Sequence, residues 1–353
     1  MFGIKLPLSG EWKQRLSDVD MFNAYAEKHK VEIKDSKLDG IKLTGAKLTN
    51  AVFENTDWKD VTFFNSKIKN AHFVGGEYRN AAFQTSYIEN TVFEGITFYN
   101  ADFEAATLKN VKFIHCNFGK ANFQRLRDSD LVFEGSVLEE VEFYESKVDI
   151  QYIKSKLTSI EMMGVKAKSS FVVKSSDVYD VDLGSSEIPH IEITDSTIKK
   201  ASFSGGKADT FVMKDLKGAW QASGAKIGKV DIDHVVTDVL LFSGTHAKTI
   251  KVSNVTVTDS LNAKANADLF EIDNSDIKSI WNGSSRLKVF KIVNTELRGT
   301  RNESSKIGTF YLENVTLNGK FNFDGTTAQK LELVNVTKGP NFQFRGRDSN
   351  IHF

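Results

Sequence analysis

The chain has 353 residues, 46 of them basic and 46 acidic, a formal net charge of zero and a single cysteine. One thiol excludes an intramolecular disulfide. The charge is even along the chain, with 13 acids and 13 bases in residues 31–130 and 29 acids and 28 bases in residues 131–353, which argues against the basic footprint that duplex nucleic acid requires.

Residues 1–30 form the first segment. Trp12, Leu16, Val19, Phe22 and Ala26 recur at helical spacing within residues 9–30 and predict one short helix. Laid across the start of the next segment, it would cover an open core end and unpaired strand edges. No run of twenty apolar residues is present, so no membrane span is predicted. The opening Met1-Phe2-Gly3-Ile4-Lys5 lacks a secretory core. The expectation is a cytoplasmic protein, with leaderless secretion as an effector the alternative.

From Ile33 to Phe123 an apolar residue stands at every fifth position, nineteen times without a miss. A helix repeats near 3.6 residues and a strand at 2, so period five signals a chain that turns a corner every few residues and stacks on itself. The slot two residues earlier is small or apolar, as at Ala46, Ala51, Ser66, Ala81, Ala101, Cys116 and Ala121. One large and one small inward residue in five describe a narrow core with tight corners. Cys116 falls in such a slot and is expected to be a buried thiol rather than a nucleophile.

Units such as Ala101-Asp102-Phe103-Glu104-Ala105 and Ala121-Asn122-Phe123-Gln124-Arg125 resemble the pentapeptide repeat family across residues 31–153. The resemblance implies an all-β fold, a right-handed quadrilateral parallel β-helix with four pentapeptides, or twenty residues, per coil. Sorting the sequence by twenty supports that independently. One face carries Phe53, Phe73, Phe93 and Phe113, the opposite face Phe63, Phe83, Phe103 and Phe123, and a third Leu48, Ile68, Ile88 and Leu108. Asn50, Asn70, Asn90 and Asn110 form one corner, where amides can bond along the stack.

Asp128 breaks the rhythm, standing where an inward residue is due. Arg125, Arg127, Asp128 and Asp130 are therefore the candidate contact for a partner, on a charged bulge or corner. Residues 154–170 are irregular, with Met162 and Met163 expected as core filler. Residues 154–353 read as a degenerate continuation of the same β-helix. Apolar–x–apolar segments begin at Phe171, Ile191, Phe211, Val230, Ile250, Phe270, Phe290, Phe310 and Leu331, and Asn254, Asn274, Asn294, Asn314 and Asn335 form a second ladder. Together the coils would make a rod of about 77 Å. Trp220 and Trp281 lie outside the inward pattern, and Trp281 is the candidate exposed aromatic. The C-terminal segment shows no helix, so the last coil is either covered by its own tail or open to pair end to end with a second copy.

No reactive constellation emerges, and neither a cofactor nor a metal site is expected. The seven histidines lack zinc-ligand spacing with Cys116. Asp231 with Asp233 and Glu271 with Asp273 share faces, but Lys251 and Lys291 flank them one coil away and suggest salt bridges rather than paired glycosidase carboxylates. Of five Asn-x-Ser/Thr sequons, those at Asn254, Asn314 and Asn335 belong to the ladder, and the others are at Asn282 and Asn302. The reading is a non-enzymatic scaffold that presents its surface to a protein partner. One alternative comes from the resemblance, in which some relatives resemble DNA in width and charge and inhibit or protect type II topoisomerases. The balanced charge and the position of the helix depart from those relatives. A glycan-binding or glycan-cleaving β-helix is the second alternative.

Overall fold

From Asp35 to Arg125 every fifth residue has a positive φ, between +47° at Asp35 and +76° at Gly45. This left-handed corner is what converts a five-residue repeat into a coil. Fourteen of these nineteen positions are Asn, Asp or Gly, residues that tolerate the conformation best. Between corners, segments of about three residues run extended, with the central apolar side chain inward, as in Glu32–Lys34 and Val52–Glu54. The computed structural model describes residues 6–7 and 9–353, and divides into two units, Met1–Asp182 and Leu183–Phe353.

In the first unit strand pairing is parallel, at a step of twenty residues from Glu32 to Glu139, then 19 from Ser129 to Val148 and 21 from Ile150 to Phe171. Ile33, Phe53, Phe73, Phe93, Phe113 and Phe133 stand in line on one face. Their rings from Phe53 onward stack at centroid distances of 4.8 to 5.1 Å. The opposite column, Phe63 to Phe143, stacks at 4.7 to 4.9 Å. Both match the spacing of neighbouring strands, so each ring lies on the one below without distorting the backbone. Trp58, Tyr78, Phe98 and Phe118 fill a third face, and Leu48, Ile68, Ile88 and Leu108 the fourth. All are buried. The small inward slot does more than make room: Ser136 and Ser155 accept through their hydroxyls from the backbone N–H of Cys116 and Ser136, at 3.1 and 3.2 Å.

The N-terminal segment differs from the single helix expected. It forms two short helices, α1 (Gly10–Arg15) and α2 (Val19–Ala26), because Asp18 leaves the helical conformation and caps the second, accepting from the N–H groups of Asp20 and Met21. Leu16 and Phe22 are buried, as the apolar stripe required. Asn23 of α2 joins the helix to the first coil. Its side chain accepts from Lys47 N–H at 2.7 Å and donates to the Gly45 carbonyl at 3.3 Å, supplying to the outermost strand the partners that a preceding coil would give. The Leu6–Pro7 strand pairs with Ser36–Lys37 on a neighbouring edge. Met162 is buried as expected, but Met163 is 45% exposed, in the turn that follows the Lys156–Glu161 strand.

The second unit keeps the twenty-residue step while losing the fivefold rhythm. Ile191, Phe211, Val230, Ile250, Phe270, Phe290, Phe310 and Leu331 are in parallel register, with a second inward row two residues on, from Ile193 to Leu312. Strands here run as long as Lys207–Gln221 and Lys226–Leu241, each still turning at a left-handed corner, Asp215 at φ +53° and His234 at φ +51°. Trp220 is buried and stacks on Phe211 at 4.3 Å. The tail covers the core end: Ile351 is fully buried, Phe353 packs against Phe310, Phe323 and Phe344, and the Asn350 amide exchanges two hydrogen bonds with the Ala328 backbone. Among the described residues the strand Thr327–Val334 pairs on one side only, with Leu333 and Val334 exposed.

Candidate interaction surfaces

Apolar side chains fill both interiors, so the chemistry available to a partner stands outside, in rows that repeat once per coil. At the interruption, Leu126 and Ser129 take the inward positions, while Asp128 turns outward at a corner with φ +45°. Its carboxylate bridges Lys109, at 2.6 Å, and Lys168. Hydrogen bonds from these two ammonium groups hold its pKa down at about 2. Arg125 lies between Glu104 and Glu145, at 2.5 and 3.7 Å, and Asp130 accepts from the Asn110 N–H. Arg127 is exposed. The four predicted contact residues thus lie on and beside two successive corners of the first unit, Arg125 and Asp128, with Arg125, Asp128 and Asp130 tied to neighbouring coils.

The remaining sequence candidates resolve as follows. The Cys116 thiol is buried, donates to the Phe93 carbonyl, and is pushed up to about 12 by burial, while His115 points outward. Glu271 lies between Lys251 and Lys291, at 3.2 and 2.7 Å. Burial would raise its pKa, but the two ammonium groups outweigh burial and leave the carboxyl below its usual range. That is the reverse of what a general acid needs. Asp231 is within 4.0 Å of Lys214 and Lys229, and Asp233 accepts from Asn254. Among the described residues no group of three or more His, Cys, Asp or Glu is placed to hold a metal ion, and no helix is long and apolar enough to cross a membrane.

Both asparagine ladders are present. Asn110 donates to Asn90 and Asn90 to Asn70, while in the second unit Asn274 donates to Asn254, Asn314 to Asn294 and Asn335 to Asn314. The second ladder breaks once, where Asn294 turns to Asp273. Asn282 and Asn302, the other two sequons, are fully buried at inward positions of adjacent coils, which closes them to glycosylation in the folded chain. Trp281 is 47% exposed, with the Arg301 guanidinium 5.7 Å from its ring.

Charge sorting by face was not visible in the sequence. In the second unit Lys226, His246, Asn266, Arg286 and Lys306 align in register, and with Lys248 and Lys288 they line an open groove. A linear count averages these bases against acids that project from other faces. Only a twenty-residue sort of the outward positions would have found them.

Residues 36–75 and 86–125 match the profile of Pentapeptide repeats, in 8 copies. No curated protein matches the chain. Among solved structures, HetL, a pentapeptide repeat protein involved in heterocyst differentiation regulation from the cyanobacterium Nostoc sp. strain PCC 7120, is similar at 13% identity and TM-score 0.25, over 70% of this chain and 96% of HetL. Full-length QnrB1, a plasmid-mediated fluoroquinolone resistance protein, is similar at 18% identity and TM-score 0.26, over 60% of this chain and 93% of its own. A PL6 alginate lyase in complex with a trisaccharide is similar at 11% identity and TM-score 0.31, over 90% and 84%. These are distant likenesses and assign no activity to this chain.

Proposed function

We propose that this chain, whose residues 36–75 and 86–125 match the pentapeptide repeat family, is a non-catalytic scaffold of the cytoplasm that binds a protein partner through its outward rows. The observation that supports this is the division of labour in each coil: apolar side chains fill the interior, and polar ones stand outside at a fixed step. Such a molecule recognises by surface. The contact element is the interrupted corner region at Arg125, Arg127, Asp128 and Asp130, where the five-residue rhythm breaks and Asp128 turns outward between the inward Leu126 and Ser129. The one-sided strand Thr327–Val334 is the element for end-to-end pairing with a second copy.

Affinity capture from a bacterial lysate tests the first reading. A partner retained by the intact chain and lost when residues 125–130 are replaced by a regular pentapeptide supports it. Recovery of topoisomerase subunits, with inhibition of supercoiling by the purified chain, would replace it with DNA mimicry. Sedimentation of the intact chain against a Leu333→Lys, Val334→Lys variant tests the pairing. A monomer in both cases sinks it.

A further inference from the structure

The groove on the second unit is independent of that corner, and we propose that it binds an acidic polysaccharide bearing about one carboxylate per sugar. It encloses about 1060 Å³ and runs across successive coils from Lys226 to Lys306. Five of its lining residues are Lys or Arg and one is a carboxylate, Asp268, which is 2.7 Å from Lys288. Among the described residues no carboxylate lies within 4.0 Å of Lys226, Lys248, Arg286 or Lys306. Four cations of one sign therefore stand along one face with no internal counter-charge.

The register sets the geometry of the ligand. Lys226 and Lys306 are four strand steps apart, about 19 Å at the usual strand spacing. Intervening coils contribute Lys248 and Arg286. The complement is an extended chain with negative charges at a regular and modest linear density. Gly228 and Gly308 lie in the groove, and a Cβ at either would meet the backbone carbonyl of the preceding coil at 2.5 or 2.4 Å. Glycine there lets the wall approach closely and leaves the groove without a side chain at those steps.

Two further observations select a carbohydrate over nucleic acid. The groove is lined by no Phe, Tyr or Trp, which leaves only His246 and the Arg286 guanidinium in place of the row of aromatic platforms on which single-stranded grooves hold bases. It also carries Asn266, Thr309, Thr327 and Gln329 between and beside the cations, neutral donors and acceptors suited to ring hydroxyls. Charge fixes the chain along the row, and the amides and hydroxyls read the sugar.

The test is titration of the full chain with polygalacturonate fragments at low and moderate salt. Saturable binding that weakens with salt is expected, with a loss of about tenfold or more in the Lys226→Gln, Arg286→Gln, Lys306→Gln variant. All three side chains are exposed, and circular dichroism verifies the fold of the variant. Hydrogen-exchange protection confined to residues 226–329 of the unaltered chain gives a second readout. No binding, equal binding by the variant, equal binding of uncharged dextran, or tighter binding of a single-stranded oligonucleotide would each overturn the proposal. Because the variant leaves residues 125–130 intact, this result and the protein-capture result fail or succeed separately.

Discussion

At the scale of single residues, the backbone corner sets the rules. Thr85 occupies a left-handed corner at φ +56°, where a β-branched side chain is least at ease, whereas Asn90 at φ +52° donates to Asn70 and accepts from Asn110. Thr85→Gly is therefore expected to stabilise the first unit by about 1 kcal/mol, and Asn90→Ala to destabilise it by about 1–2 kcal/mol. Urea melts of the two variants should shift in opposite directions, and a shared sign would remove the corner argument. Asp128 supplies a pH test. Its folded-state pKa of about 2 lies below the ordinary 3.8, so its stabilisation is complete above that ordinary value and is lost as pH falls through the folded one. Thermal melts of the protein and of Asp128→Asn should differ at pH 6 and converge near pH 2; a constant gap would mean that the carboxylate's charge is not the cause.

At the scale of the coil, the large inward residues were legible because period five has no other simple reading, and the Phe53 and Phe63 columns followed from sorting by twenty. The left-handed corners were half legible. The asparagine columns were read as hydrogen-bonding ladders, while the backbone conformation that places Asn and Gly there was hidden by Thr85, Ala105, His115 and Lys120 in the same role. The break near Asp18 was missed because the apolar stripe continues across it, and an N-cap signal inside a helical pattern is weak against that periodicity. Asn282 and Asn302 were not recognised as inward, since polar residues at those steps read as surface. Both amide atoms of Asn282 lack a hydrogen-bond partner, as does the Asn302 amide oxygen. An unsatisfied buried amide costs about 1–3 kcal/mol, and Leu places the same number of heavy atoms in the same branched arrangement. Asn282→Leu should raise the melting temperature; a fall would show that the amide is engaged in a way these contacts do not account for.

At the scale of the whole molecule, each coil touches mainly the coils before and after it, so stability is held locally. Phe103→Ala removes a ring stacked 4.7 Å from both Phe83 and Phe123 and is expected to cost about 3–5 kcal/mol. Amide exchange should accelerate around residues 83–123 and stay unchanged at residues 250–310; uniform acceleration would mean one cooperative block. Zero net charge likewise conceals local order, because a pI of about 7.1 coexists with an unbalanced row from Lys226 to Lys306.

The unbroken twenty-residue register between Ala46 and Arg125 also bears on how such a gene changes. Loss or duplication of one coil's worth of coding sequence returns every side chain to the same face and every left-handed corner to a corner position. Loss of one or two codons instead turns the following phenylalanines toward water. Unequal recombination between neighbouring repeats is therefore a tolerated event here, and small frame-preserving deletions are the ones selection should remove.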